Sequence, residues 1–377
     1  MTLEQPHPSL VNANILDGRS HLEVLARAPR APGTTEEHAA REHCARVLRG
    51  LGYDVAVEPF EYSALPGRYG MPIGGAIGAG TVLVTVWLAS IQHAPRGAAA
   101  AFGVGLLVLA LFAQRMLGDG VLDLSWMRAR ADNLVARRGR DAPCVWLVAH
   151  VDSKSQPIPS RVRVAGVVLL ALAILLTLGA LGLTLGIGSS RTLLWLACAA
   201  SGAMGGAVII ASVVGNDSFG AVDNASGVAA VLSAAAMLDP ASAVGILIPS
   251  AEELGLAGAR AWVRANRSER ALVLNCDGVD DQGELTLMYT RRKPDRIVDA
   301  VRNASGGDVR VLRMPPGLLL DSVAFADAGW EAITVSHGSM RTLARVHTRR
   351  DSLDHLRGDS IDSVGGVLAR AAEALTR

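Results

Sequence analysis

Residues 144–150, CVWLVAH, form a short apolar run that ends in a histidine, and Asp152 follows two residues later. The runs VGILIPS (244–250), LVLNCDG (272–278) and EAITVS (331–336) have the same character. Continuous apolar runs of this length are typical of strands buried on both faces of a sheet. Between or after these runs lie stretches with helical spacing: DNASGVAAVLSAAAML, LAGARAWVRANR, PDRIVDAVRNA and SIDSVGGVLARAAEAL. This alternation predicts an α/β fold with a mostly parallel central sheet and helices on both faces.

The start of the chain carries a helix and a strand signal. Thr34, with Glu37 three residues later, is the pattern of a helix N-cap, and AAREHCARVLRGLG continues the helix until Gly50 and Gly52 end it. The following YDVAVEPFEY alternates as a strand does. The first residues, MTLEQPHPSL, have neither a basic nor an apolar region, so we expect no cleaved signal peptide.

Four stretches lack any charged side chain: Met71–Gln92, Gly97–Gln114, Val164–Ser190 and Thr192–Gly215. Half of the chain is hydrophobic and only 19% is charged, which is unusual for a soluble enzyme. A helix that crosses the hydrocarbon of a bilayer needs roughly 17–25 apolar residues. Buried helices of a soluble protein would explain one such stretch, but four in two close pairs predict two transmembrane hairpins. Small residues four apart, Gly74 with Gly78 and Gly202 with Gly206, are expected to let the helices pack closely.

The hairpins divide the chain into segments. Hairpin 1 covers 68–116 and hairpin 2 covers 161–215, and segments 1–67, 117–160 and 216–377 together have the size of one α/β domain. Lys and Arg near the spans lie mostly on the side of this domain: Arg68, Arg115, Arg128, Arg130, Lys154, Arg161 and Arg163, against Arg96 and Arg191 in the two links. Positive residues are retained in the cytoplasm, so we expect an integral membrane protein with its polar domain inside.

Composition excludes some classes of protein. The net charge of +1 gives no basic footprint of a nucleic-acid binder. The four cysteines (Cys44, Cys144, Cys198, Cys276) contain no close-spaced pair, so they indicate neither a disulfide framework nor a cysteine zinc site.

Polar residues collect where the predicted strands end. His150 and Asp152 follow the first run, Glu252 and Glu253 follow VGILIPSA, Asp277 ends LVLNCD, Asp223 opens a helix, and His347 lies in a polar loop. Taken singly, each has a structural explanation as a helix cap, a turn or a surface residue. Together, two imidazoles and several carboxylates at the carboxyl ends of neighbouring strands are what a hydrolytic divalent-metal site requires.

At this point the sequence resembles the zinc aminopeptidases of the bacterial leucyl-aminopeptidase and aminopeptidase Y type. The motifs occur in the family's order: RAPRAPGTTEEHAAREHCARVLRGLGYDV, AHVDS, AVDNASGVA, AEELGLAGAR, NCDG and HTRRDSLDHL. The resemblance covers nearly all of the polar segments and none of the hairpins. It implies the family's αβα sandwich and two Zn²⁺ or similar divalent ions as cofactors.

The resemblance also implies a role for each matching residue. His150, Asp223 and Asp277 would hold one zinc, and Asp223 would bridge to a second zinc held by Glu253 and His347. Glu252 would be the general base. Asp152 would accept the second ring N–H of His150 and fix its tautomer. The family typically has a cis peptide bond after the bridging aspartate, here Asp223–Asn224.

Four further residues are candidates for contact with the substrate or for support of the ligands. Some family members have a Tyr near the last histidine to stabilise the oxyanion, where this chain has Val346, so Tyr289 from another strand is the candidate replacement. His337 lies near a strand end and is a candidate substrate contact. Asp321 and Asp351 match acidic positions of the family pattern, and we expect them to support the metal ligands.

Three functions fit these observations. The first is a membrane-bound aminopeptidase that acts on peptide or protein N-termini, including ends presented at the lipid bilayer. The second is a glutaminyl-cyclase-like or other amide-processing zinc enzyme with the same fold. The third is a membrane scaffold or transporter with a degenerate peptidase domain, which is disfavoured because no charged residue interrupts the four spans. The completeness of both ligand sets favours peptide hydrolysis.

Overall fold

An eight-stranded sheet organises the polar part of the chain in the computed structural model, which describes residues 17–118, 120–139, 141–187, 192–267, 270–315 and 317–377. The first ten residues and the link near Arg191, both interpreted above, lie outside these ranges. The strands are β1 (Asp54–Ser63), β2 (Arg128–Arg137), β3 (Val145–Val148), β4 (Val244–Ile248), β5 (Leu272–Val279), β6 (Glu284–Tyr289), β7 (Arg310–Arg313) and β8 (Glu331–Gly338).

The strand order in the sheet is β1-β2-β4-β3-β5-β8-β6-β7. The four central strands β4, β3, β5 and β8 are parallel, whereas β2 and β6 pair antiparallel on either side of them. The predicted mostly parallel sheet is therefore confirmed, and all five strands expected from the sequence are present. The strands β2, β6 and β7 were not predicted from the sequence. β2 and β7 are rich in arginine, and charged residues hide the apolar pattern on which the prediction rests.

Successive residues of the central strands point into two separate hydrophobic cores. Val145 and Leu147 of β3 contribute to one core, and Trp146 and Val148 contribute to the other. This is the two-residue period of a strand with both faces covered. The same alternation explains why CVWLVAH is apolar at every position before His150.

Helices cover both faces, as the sequence predicted. The helices of the polar segments are α1 (Gly18–Leu25), α2 (Thr35–Gly50), α8 (Gly227–Met237), α9 (Ala257–Ala265), α10 (Asp295–Ser305), α11 (Asp321–Asp327), α12 (Met340–Leu343) and α13 (Ile361–Thr376). Residues of α1, α2, α8, α10 and α13 belong to the first core, and residues of α9 and α11 belong to the second. The predicted cap is confirmed, because the Thr34 hydroxyl accepts a hydrogen bond from the Glu37 amide at 3.3 Å.

The chain divides into two compact units. One consists of Met1–Tyr62, Arg128–Ser155 and Asn216–Arg377, and contains the sheet except for Ser63, the last residue of β1. The other consists of Ser63–Met127 and Gln156–Gly215. It begins before and ends after the predicted hairpin 68–116, because its first helix starts at Leu65 and the short helix α5 (Gly120–Asp123) packs against the hairpin.

The second unit is a bundle of long apolar helices. Its main members are α3 (Leu65–Val86), extended by a π-helical turn to Ile91, α4 (Pro95–Leu117), α6 (Ser160–Ile187) and α7 (Thr192–Ile210). Among the described residues, four helices are long and apolar enough to cross a membrane by length and composition: Leu65–Ile91, Pro95–Leu117, Ser160–Gly186 and Thr192–Ile210.

Glycines bring these helices close together at three of the four predicted positions. A Cβ added at Gly206 would lie 2.4 Å from the Ala79 Cβ, and at Gly78 and Gly202 it would lie 2.9 and 2.7 Å from a neighbouring side chain. These distances are shorter than a van der Waals contact, so only glycine fits there. Gly74 is different, since its nearest neighbour would be 3.6 Å away in ordinary contact.

Candidate metal centre

The polar residues singled out at the strand ends come together in the structure. His150 and Asp152 follow β3, Asp277 lies near the end of β5, and Glu252 and Glu253 form a 3₁₀ turn after β4. Because β3, β4 and β5 are parallel neighbours, their carboxyl ends meet at one edge of the sheet. Asp223 reaches this edge from the turn before α8, and His347 reaches it from the loop after α12.

Asp223 lies between the two histidines. Its Oδ1 is 3.3 Å from Nε2 of His150, and its Oδ2 is 2.9 Å from Nε2 of His347. Each oxygen of one carboxylate therefore faces a different imidazole. This is the arrangement that a carboxylate bridging two metal ions requires.

The remaining carboxylates complete two groups around this bridge. Oδ2 of Asp277 is 3.7 Å and Oε2 of Glu252 is 3.9 Å from Nε2 of His150. On the other side, Oε1 of Glu253 is 3.5 Å from Nε2 of His347. The ligand atoms of His150, Glu252 and Asp277 all lie within 4.8 Å of one another, and so do those of Asp223, Glu253 and His347. Glu252 is thus close enough to be either a ligand or a base by distance alone.

Several of these atoms are buried and lack a hydrogen bond. They are Nε2 of His150, Oδ2 of Asp277 and Oε1 of Glu253. A buried polar atom without a partner is costly, and atoms of this kind that converge on one point are satisfied by a cation. The donor set of imidazole nitrogens and carboxylate oxygens suits Zn²⁺, so the residues present fit the metal that the resemblance implies.

Asp152 differs in one respect from its expected role. Nδ1 of His150 donates to the backbone carbonyl of Asp152 at 3.1 Å, while the nearer carboxylate oxygen is 3.6 Å away. The carboxylate instead accepts the amide N–H groups of Glu252 and Glu253, both at 3.1 Å. The ring is still oriented as predicted, because a donating Nδ1 leaves the lone pair of Nε2 for a metal in the neutral tautomer.

Two neighbours hold Asp223 in position. The peptide bond Asp223–Asn224 is cis, as the resemblance implied. The Asn224 side chain donates to the carbonyl of Cys276 at 2.9 Å and accepts from the amide of Gly278 at 3.2 Å, which ties Asp223 to the end of β5. Asp351 accepts the amides of Val222 at 2.6 Å and Asp223 at 3.2 Å, so it holds the backbone of this candidate ligand.

The environment shifts the pKa values of the acidic groups in different directions. Burial would raise the pKa of Asp223, but contacts with His150 and His347 hold that pKa well below its usual range. Burial, reinforced by the charges of Glu253 and Asp321, raises the pKa of Glu252 well above its usual range. Asp223 therefore remains an anion, whereas Glu252 has the stronger tendency to take up a proton.

Asp321 and Asp351 are both fully buried and lie in the same electrostatic field. Burial raises the pKa of Asp321 to about 8 and that of Asp351 to about 7. Neither carboxylate oxygen of Asp321 makes a hydrogen bond. The Asp321 charge acts on Glu252, which is consistent with a supporting position beside the site.

The loop that carries His347 is anchored to the end of β5. The carboxylate of Asp280 accepts the Thr342 hydroxyl at 2.6 Å and forms an ion pair with Arg345. His347 itself has a left-handed backbone with φ of 64°, which a non-glycine residue adopts only at a cost. Nδ1 of His337 donates to the Asp280 carbonyl at 2.6 Å, so His337 lies at this edge and its contact with substrate stays a prediction.

Tyr289 is not brought to the centre. In the sheet, Met288 is level with Thr334 of β8, and Thr334 is level with Asn275 of β5. Because β6 runs antiparallel to β8, Tyr289 lies further toward the amino end of the parallel strands, away from Asp277. The expected oxyanion role of Tyr289 came from residue type alone, and strand register could not be read from the sequence.

Two positively charged residues at this edge, Lys154 and Arg30, were not predicted from the sequence. Lys154 forms an ion pair with Oε2 of Glu253. Arg30 is 1% exposed and donates to the carbonyls of Val151 at 2.9 Å and Gly220 at 3.0 Å, which joins the segments before and after the second inserted hairpin. A usable signal was present for Lys154, since it is one of only two lysines in the chain and stands two residues after Asp152.

Comparison with known proteins gives a family and a fold. The model of peptidase family M28 matches residues 133–372. The aminopeptidase of Aneurinibacillus sp. strain AM-1 aligns with a TM-score of 0.54 at 16% identity, over 94% of each chain. The zinc aminopeptidase of Bacillus subtilis gives 0.53 at 15% identity, over 94% of this chain and 93% of the other. Fimbriiglobus ruber glutaminyl cyclase gives 0.55 at 15% identity, over 98% and 97%. No curated protein sequence matches the chain.

We expect the purified protein, saturated with Zn²⁺ and freed of excess, to carry close to two ions per chain. His150→Ala and His347→Ala should each lower the content by about one ion, and Asp223→Ala should lower it further because its two carboxylate oxygens face different histidines. Elemental analysis measures the content. His355→Ala is the matched control, since His355 is exposed and lies outside both groups. Unchanged metal content in all three variants would rule out this centre.

Proposed function

This chain belongs to peptidase family M28 and is a metallopeptidase, and on that premise we propose that it is a membrane-bound aminopeptidase. It hydrolyses the N-terminal peptide bond of its substrate at a centre of two divalent ions, zinc or a similar metal. The observation that carries the proposal is the position of Asp223, with one carboxylate oxygen toward His150 and the other toward His347. A single-metal centre has no need of a carboxylate shared in this way.

We assign the ligands from these contacts. His150, Asp223 and Asp277 bind one ion, and Asp223, Glu253 and His347 bind the other. When bound, such ions supply Lewis acidity and lower the pKa of water. Asp152 keeps His150 in the required tautomer through its carbonyl and fixes the Glu252–Glu253 turn through its carboxylate.

The proton transfers are assigned to Glu252. Its carboxylate accepts a proton from the attacking water and returns it to the nitrogen of the departing amine. Its raised pKa fits this role, because a base works best when its pKa approaches the working pH. Glu253 is unsuited to it, since its pKa is lowered overall: burial raises the pKa, but the ammonium of Lys154 and the contacts with His347 together lower it by more.

A cyclase-like function is the alternative within the same fold. Glutaminyl cyclases of Fimbriiglobus ruber and Bacteroides thetaiotaomicron have TM-scores of 0.55 and 0.54 to this chain, as high as those of the aminopeptidases. Fold similarity at this identity does not separate the two reactions. The two complete ligand groups favour hydrolysis, and release of ammonia from peptides with N-terminal glutamine, without hydrolysis of aminoacyl substrates, would favour the cyclase.

The two adjacent glutamates provide a direct test. Glu252→Gln should keep its metal ions but lose about 10²–10⁴-fold in kcat, because an amide cannot accept the proton from water. Glu253→Gln should instead lose metal from one site. Metal content and hydrolysis of aminoacyl p-nitroanilides are measured on the same preparations, with Glu331→Gln at an exposed strand start as the control. Loss of metal in Glu252→Gln with retention in Glu253→Gln would show that the two roles are exchanged.

The orientation in the membrane is inferred from the charges alone. Lys and Arg residues near the spans concentrate on the side of the peptidase domain, so we expect that domain in the cytoplasm. Reporters fused after Arg377 test this: one that is active only in the cytoplasm should work, and one that is active only outside should not. The opposite result would place the domain outside the cytoplasm.

The inserted helices connect closely to the site in sequence. The segment Gln156–Gly215 leaves shortly after Asp152 and returns shortly before Asp223, and both of these residues belong to the metal centre. We take this as support for substrates presented at the bilayer, such as exposed N-termini of membrane proteins. Simple anchoring is the competing explanation.

Replacement of Gln156–Gly215 by a short polar loop separates the two explanations. The hydrogen bond from the Asp217 amide to the Ser155 hydroxyl at 2.8 Å joins the two ends within the peptidase unit, so a short loop can connect them. We expect cleavage of small aminoacyl substrates to persist while cleavage of peptides anchored in vesicles falls at least tenfold. Equal rates on both substrate types relative to the full chain would leave the helices as anchors only.

A further inference from the structure

The two oxygens of Glu253 have different surroundings. Oε2 is in contact with Nζ of Lys154, whereas Oε1 is 3.5 Å from Nε2 of His347 and makes no hydrogen bond. Both side chains are enclosed, with 18% of Lys154 and 2% of Glu253 exposed. The ammonium is therefore held on the outer oxygen of a carboxylate whose inner oxygen is directed at the candidate metal position.

This ion pair is part of the candidate metal centre. Lys154 follows Asp152 by two residues, and the carboxylate of Asp152 accepts the amide of Glu253 at 3.1 Å. The same short segment after β3 thus holds Glu253 at its backbone and at its side chain.

The other half of the centre has no such cation. Among the described residues, no lysine or arginine lies within ion-pair distance of Asp277, Asp223 or Glu252. The two ligand groups are similar in residue type, with one imidazole each and Asp223 in common, yet only the group of His347 contains a carboxylate in direct contact with a lysine. The charge of Lys154 acts on Glu252 and Asp223 without such a contact.

We infer that Lys154 makes the two metal sites unequal: it orients Glu253 and at the same time lowers the affinity of the His347 site for a divalent cation. The His150 site then fills first, and the His347 site fills only at higher metal concentration. This inference rests on the proposed two-metal centre and concerns its order of loading.

Two effects of Lys154 oppose each other, and their magnitudes decide the sign. Loss of a partner that orients a ligand typically weakens metal binding by about 10–100-fold. An ammonium on Oε2 of Glu253 lies roughly 6 Å from a divalent ion bound at Oε1, and roughly 9 Å from a second ion about 3.5–4 Å further on. At an effective dielectric of about 20, it weakens binding by about ten-thousandfold at the near site and by several hundredfold at the far site. Repulsion therefore outweighs orientation, and removal of the charge should strengthen binding at the His347 site.

The experiment is a metal titration of the full-length protein in detergent. Protein depleted of metal is titrated with Zn²⁺ in competition with a chromophoric chelator, and turnover is not measured. The wild type should show one tight and one weaker site, and His347→Ala should abolish the weaker one. Lys154→Met should tighten the weaker site by at least tenfold more than it tightens the tight site.

Two variants serve as controls. Lys154→Arg keeps the positive charge and should keep the wild-type difference in metal affinity between the two sites. A purely structural role for the lysine methylenes does not predict that this difference is kept. Lys293→Met removes the other lysine of the chain, which pairs with Asp295 at the surface, and should change neither site. Lys154→Gln repeats the test if Lys154→Met has a lower thermal midpoint.

The inference is overturned if Lys154→Met and Lys154→Gln weaken the second site or leave it unchanged, or if they change the tight site instead. It is also overturned if His347→Ala leaves both sites of the wild type intact. Failure of the proposed function is a separate result, because it is read from the turnover of Glu252→Gln and not from the titration.

Discussion

The carboxylate of Asp152 is the contact on which the rest of the site depends. It is completely buried, and its two oxygens accept the successive amides of Glu252 and Glu253. These amides converge because Ala251 adopts a left-handed backbone with φ of 57°, which turns the chain sharply at the end of β4. The Asp152 carbonyl meanwhile receives the ring of His150. A single residue, Asp152, therefore positions the side chains of His150, Glu252 and Glu253. Its loss would leave two buried amides without acceptors.

Arg30 extends this arrangement to the opposite side of the centre. Its buried guanidinium donates to the carbonyls of Val151, Phe219 and Gly220, and the charges of Asp351 and Asp152 favour its protonated form, although burial lowers its pKa to about 10. The segments that bear His150 and Asp223 are thus joined through an N-terminal residue. None of these hydrogen bonds passes through Gln156–Gly215. This explains in physical terms how a pair of apolar helices can be inserted between two ligands without taking part in the geometry of the ligand set.

The features that could be predicted from the sequence are those that follow from hydrophobic periodicity and from the position of residues at strand ends. Strands buried on both faces are mostly apolar, so the central strands and the polar residues at or after their ends, such as Asp277 and His150, could be predicted directly. Features that depend on strand register, or on contacts between residues distant in the sequence, could not be predicted. The pairing of β6 with β8 places Tyr289 away from the candidate metal centre. The hydrogen bonds of Asn224 join residues about 50 positions apart. The arginine-rich β2 and β7 were missed for a third reason, since their pattern is polar although they complete the sheet.

The environments of the carboxylates shift their pKa values in different directions, which bears on the proposed roles. Groups whose pKa values are pushed apart within one site take different roles. Burial acts on all of them in the same direction, so the difference must come from neighbours. Contacts with two histidines keep Asp223 ionised, whereas Glu252 has two further carboxylates acting on it and a raised pKa. Asp277 has a raised pKa as well, yet its Oδ2 is directed at His150 and makes no hydrogen bond, so a cation at that point is what would keep it charged. The direction of the pKa shift therefore distinguishes Asp223 and Glu253 from Glu252, whereas Asp277 and Glu252 are shifted in the same direction.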